Sequence, residues 1–89
     1  MHEIDKIRSE IDQIHGELAA LFQRRLTLTK KIWEIKKANQ LSFFDQKRED
    51  GIIHRFDSSI PDADERMAVQ NFFKSILSES KKYLEVKLK

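Results

Sequence analysis

Apolar residues recur in this chain at steps of three and four with nothing to break the rhythm: Ile4, Ile7, Ile11, Ile14, Leu18 and Leu21, then Arg25, then Leu28, Ile32 and Ile35. That spacing lines one stripe of an α-helix. Between Ile4 and Leu41 there is no proline and one glycine, Gly16, so the pattern predicts a single helix of about 37 residues. At the α-helical rise such an element spans roughly 55 Å. A compact chain of 89 residues has a radius of gyration of about 12 Å and a diameter of about 30 Å. Half of the stripe would therefore overhang into water, and heptad-like spacing favours a partner helix alongside. An obligate homodimer with paired long helices is the expected remedy.

The rest of the chain reads as two further helices. Phe43-Phe44-Asp45 opens the first of them, with Asp45 able to cap and the preceding phenylalanine able to pack back as a staple. It runs to about Phe56 through Ile52 and Ile53, with Gly51 as a weak point. The segment DSSIPDADE reads as a loop in which Pro61 suits a first helical position, and Asp62, Asp64 and Glu65 favour the positive end of a helix dipole. From there Val69, Phe72, Phe73, Ile76, Leu77, Ser80 and Leu84 trace one face of a third helix, which ends in Lys87 and Lys89. The predicted fold class is all-α: one domain over residues 1–89, built of a long, a short and a long helix that form an intertwined helical homodimer.

Composition narrows the partners. Charged residues make up 36% of the chain and are mixed in sign, which suits a helix-rich folded protein and argues against disorder. Seventeen basic residues against fifteen acidic ones leave a net charge of +2, too balanced to argue for nucleic acid or an anionic membrane surface. No apolar run approaches transmembrane length and no signal peptide is visible. The absence of cysteine rules out disulfide and thiolate chemistry and makes a cytoplasmic location the expectation.

Arg25 asks for an explanation. It can be a register-setting polar residue of a coiled-coil seam, or a side chain that snorkels out. A buried guanidinium needs anionic partners, because leaving it unpaired costs several kcal/mol. One turn to either side supplies none, since residues 21, 22, 28 and 29 are Leu, Phe, Leu and Thr. Lys36, eleven positions on, returns to within about 20° of the same helix angle, roughly 16 Å further along the axis. Two cations thus face one interior, and a small dianion between them would satisfy both. In FFDQKREDG, Asp45, Arg48 and Glu49 collect at the start of the second helix, which taken alone is an ordinary capped and solvated helix start. Arg8 lies about 25 Å from Arg25 by the helical rise. It cannot join Arg25 around one small molecule within a chain, but it can across an antiparallel dimer.

These residues carry a family resemblance. Arg8 with SEIDQIHGELAALFQRR, then Lys36, then Asp45-x-x-Arg48-Glu49, and a late FFKSILSES ending in Ser80 resemble the all-helical, type II class of chorismate mutase over nearly the whole chain. The resemblance implies an isomerase of aromatic amino-acid biosynthesis in the shikimate pathway, converting chorismate to prephenate by a pericyclic Claisen rearrangement. No nucleophile, metal or organic cofactor is then required. The enzyme holds a flexible dicarboxylate in its folded form and stabilises negative charge on the ether oxygen. Carried over residue by residue, Arg25, Arg48 and the Arg8 supplied by the partner chain grip the two carboxylates. Lys36 donates to the ether oxygen. Glu49 and the backbone near Asp45 receive the ring hydroxyl, and Ser80 lines the pocket beside a carboxylate. One position departs from the family pattern: its second donor to the ether oxygen, usually a glutamine, falls at Leu84. Tyr83 and Glu85 point about 100° away on an ideal helix. Lys36 alone is then expected to serve the ether oxygen, with slower turnover.

Two other readings share these helices. An isochorismate pyruvate-lyase resembles the mutases in fold and pocket, and a non-catalytic dimerisation or regulatory module is favoured by Leu84. The other candidates are weak. His2, His15 and His54 lack metal-ligand spacing, and Trp33 and the six phenylalanines suit packing better than base stacking. Acidic residues interleave with Lys30-Lys31 and Lys36-Lys37, which argues against phosphate-backbone binding, and no histidine is near enough to Ser78 or Ser80 for a triad.

Overall fold

The computed structural model of the chain describes residues 1–88. Its elements are α1 (His2–Ala38), α2 (Gln46–His54), a 3₁₀ turn (Asp57–Ser59) and α3 (Ala63–Lys87), with no strand among the described residues. None of the helices is long and apolar enough to cross a membrane. The architecture is the all-α, three-helix arrangement expected. Lys89, the last residue of the expected third helix, lies outside the described residues.

The helix ends show which local signals operate. At α2, the Asp45 carboxylate accepts the Arg48 backbone N–H at 3.0 Å, satisfying one donor that the first turn leaves free. The expected staple takes another form. Phe44 is exposed, and it is Phe43 that packs back, stacking on Trp33 with ring centroids 4.4 Å apart and planes 6° from parallel. α2 continues through Gly51 and stops at His54, slightly short of Phe56. At α3, Asp62 is the cap and accepts the Asp64 N–H at 3.3 Å, so Pro61 stands just before the cap rather than at the first helical position. α1 stops at Ala38, short of Leu41, because Gln40 turns into the left-handed region with φ of 58°. The Leu41 N–H then reaches back to the Lys36 carbonyl at 2.8 Å and the Gln40 N–H to Lys37 at 3.2 Å, a Schellman closure.

Side-chain contacts fix the directions. α1 and α3 run alongside one another in the same sense: Arg25 meets Ser80, and further on Lys37 donates to the Leu88 carbonyl at 3.1 Å. α2 runs back along α3, with Phe56 beyond its end stacking on Phe73 at 5.7 Å. The α2–α3 connection is clasped by Asp57, which takes hydrogen bonds from Gln70 at 2.8 Å and His54 at 2.9 Å, and by Arg66, which donates to the Ile60 carbonyl at 2.9 Å.

The protomer is not compact. It measures 56 × 28 × 16 Å with a radius of gyration of 16.5 Å, against about 12 Å for a globular chain of this length. Its accessible surface is 7497 Å², whereas a compact monomer of the same mass exposes about 5,500 Å². Leu84 and Ser80 are the only buried side chains among the described residues. The apolar stripe of α1 stays open along its whole length, from 41% exposed at Leu18 to 62% at Ile35. Leu18 is the first α1 residue to line a groove shared with α3, so the helix before it projects alone.

Candidate active site

Where the second half of α1, the start of α2 and the end of α3 converge, they enclose a cleft of about 550 Å³, a size suited to a small organic ligand. The loop between α1 and α2 covers one side of it through Phe43 and Phe44. Of the residues singled out in the sequence, Arg25, Lys36, Asp45, Arg48, Glu49, Ser80 and Leu84 all line this one cleft. Arg8 does not, because it sits on the projecting part of α1.

Arg25 is held from the opposite helix. Its guanidinium donates to the Ser80 hydroxyl at 3.0 Å, and that hydroxyl donates in turn to the Ile76 carbonyl at 2.6 Å. Ser80, 4% exposed, therefore fixes the arginine without neutralising it. Burial lowers the Arg25 pKa from its ordinary value, and the charge of Arg48 lowers it further. Two guanidinium groups are thus held within reach of each other's field. Lys36 donates to the Phe43 carbonyl at 3.4 Å, again a neutral partner. Among the described residues the ion pairs lie elsewhere, at Lys30–Glu34 and Lys82–Glu79, and the carboxylates of Asp12 and Asp57 stand beside His15 and His54. Within that set Arg25, Lys36 and Arg48 have no carboxylate in contact, and the Asp45 carboxylate is turned to the α2 cap.

The apolar side of the cleft is built from Ile32, Trp33, Ile52, Leu77, Leu84 and Leu88. Leu84, at 1% exposure, is the most deeply buried of the described side chains. Glu85 also borders the cleft, although an ideal helix turns it well away from Leu84. The cleft wraps around α3 far enough to reach Ser80, Lys81, Leu84, Glu85 and Leu88 together. Lys81 and the Trp33–Phe43 stack are lining features that single motifs do not reveal. For Lys81 the sequence does hold a signal: Leu77, Lys81, Leu84 and Leu88 form an apolar stripe interrupted by a cation, as Arg25 interrupts that of α1.

Chemically the arrangement sets Arg25, Lys36 and Arg48 beside apolar walls, and among the described residues none of the three is ion-paired. Compared with known proteins, the chain matches the family described as chorismate mutase type II over residues 7–85. No curated protein and no solved structure matches it.

Proposed function

Because the chain belongs to the type II chorismate mutase family, and is an isomerase converting chorismate to prephenate, we propose that the rearrangement takes place in the three-helix cleft with a defined division of labour among its residues. Arg25 and Arg48, joined by Arg8 from a second copy of the chain, hold the two carboxylates. Guanidinium suits this task because it binds carboxylate in a bidentate fork. Lys36 donates to the ether oxygen as its negative charge grows. Glu49 and the backbone around Asp45 receive the ring hydroxyl, and Ser80 keeps Arg25 aimed. The carrying observation is that Arg25, Lys36 and Arg48 line one cleft and, among the described residues, none of them has a carboxylate in contact. Arg25, which burial partly strips of water, has the most to gain from an external anion.

The reaction is unimolecular, so the protein's contribution is conformational and electrostatic. Holding the dicarboxylate folded removes the entropic part of the barrier, and a fixed ammonium at the breaking C–O bond stabilises the transition state more than the ground state. Leu84 offers no hydrogen bond there, which leaves Lys36 as the donor to that oxygen. The open stripe on α1 and the excess surface of the protomer support a homodimer, in which the projecting helix carries Arg8 to the partner's cleft. A cysteine-free chain of this composition suits the cytoplasm.

The direct test follows the loss of chorismate absorbance with the purified protein and identifies the product. Prephenate is expected from the wild type, with Arg25→Ala lowering kcat/KM by at least about 10²-fold, the scale of losing a charged transition-state contact. Pyruvate release from isochorismate in place of prephenate formation would assign the cleft to the lyase reaction. An Arg25→Ala variant as active as the wild type would remove the cleft from the mechanism.

A further inference from the structure

Lys81 is the one cation of α3 that lines the cleft, and no role in the scheme above uses it. It occupies the apolar stripe Leu77-Lys81-Leu84-Leu88, all four members of which face the cleft. Its neighbour Lys82 behaves as a surface lysine and pairs with Glu79 at 3.4 Å. Lys81 has a carboxylate one turn away on the same wall, at Glu85, yet the two are not in ion-pair contact. Its ammonium stands instead over the ring of Phe44, 5.9 Å from the centroid, on the loop whose Phe43 carbonyl holds Lys36. A cation over an aromatic face keeps its full charge and is steered without being neutralised.

Resting on the reading of the cleft as a site for a dicarboxylate, we propose that Lys81 is a further substrate-binding residue of this chain, its ammonium reaching across Phe44 to hold a carboxylate of the bound dianion. The charge balance supports this. Among the described residues the cleft is lined by four cations against three carboxylates. With one arginine from the partner the excess becomes two, matching a dianion, and without Lys81 it falls to one. A lysine at the exposed mouth contributes to binding in the ground and transition states alike, so its loss falls on KM rather than on kcat.

The test measures kcat and KM for chorismate in the wild type, Lys81→Met and Lys81→Arg. Lys81→Met is expected to raise KM on the order of ten-fold with kcat changed by less than about two-fold. Lys81→Arg, which keeps the charge, is expected to recover most of that affinity. The same Lys81→Met change made in a Phe44→Leu background separates contact with the ligand from an effect on the loop. If Lys81 touches the ligand the rise in KM persists there, and if it acts only through Phe44 the rise disappears and the proposal is overturned. An unchanged KM in Lys81→Met, beside a wild type that turns over, overturns the role of Lys81 alone. A wild type that leaves chorismate intact overturns the reading of the cleft as well.

Discussion

At Leu84, filling space and donating hydrogen bonds pull against each other. The side chain is 1% exposed and seals the base of the cleft, in the place where the family resemblance puts a glutamine that serves the ether oxygen. Leu84→Gln is expected to raise kcat by roughly ten- to a hundred-fold, the scale on which one transition-state donor acts. The same change leaves an amide buried in the empty cleft, at a cost of about 1–3 kcal/mol, so the thermal midpoint should fall while turnover rises. Unchanged kcat in a folded variant would show that a missing donor is not what limits this enzyme. Arg25 and Lys36 can be brought together from the sequence because helix angle alone relates them. The D-x-x-R-E group cannot be joined to them that way, because its place in the cleft depends on how the loop over residues 39–45 folds back. Lys81 is obscured for a different reason: the dominant apolar face of α3 runs through Phe72, Phe73, Ile76 and Ser80, and the second stripe, from Leu77, shows itself only when followed past Leu84.

Among the elements, the lengths of the helices follow from periodicity and their ends from single residues. The apolar rhythm and the lack of proline account for α1 over nearly its full extent, and Asp45 and Asp62 mark the starts of α2 and α3. The end of α1 is harder to read, because its left-handed residue is Gln40 where glycine is the usual signal. The connection from α2 to α3 depends on a side-chain clasp that no local motif announces. There the hydrogen bond from Gln70 draws the Asp57 carboxyl below the ordinary carboxylate range, and those from His54 and the charge of Arg66 act in the same direction. A carboxylate whose folded pKa is depressed stabilises the fold above its unfolded pKa, and that contribution is lost as pH falls through the lower, folded value. Asp57→Asn is therefore expected to melt at a lower temperature than the wild type at neutral pH. The gap should close only below the usual carboxylate range, as followed by circular dichroism across an acid series. A gap constant at every pH would remove the charge of Asp57 from the clasp.

For the whole molecule, the question is what covers α1. A helix whose apolar stripe is open from Ile4 to Ile35, on a protomer with about 2,000 Å² more surface than a compact chain exposes, has the means for a large interface. Periodicity alone makes this excess readable, since a helix of that length cannot fit inside its own domain. The geometry of the pairing is another matter, because the register of one helix on its copy is set by contacts between chains. In the proposed dimer each cleft takes Arg25 from one chain and Arg8 from the other. Arg8→Ala and Arg25→Ala, each inactive alone, should then complement when refolded together. Random pairing places one intact cleft in half of the dimers, or about a quarter of the wild-type activity in an isologous assembly. Mixtures no more active than their components would place Arg8 outside the site.

Two buried side chains among the described residues are a slender interior for a protomer of this length. In a dimer of this design, reaching the folded state and meeting a second copy become a single event, and the supply of chain enters the chemistry as a reactant does. Flux through the reaction then rises more steeply than expression wherever the chain is scarce. Once pairing is complete the two rise together, so that the projecting half of α1 sets a threshold of abundance below which the cell has the polypeptide without the enzyme.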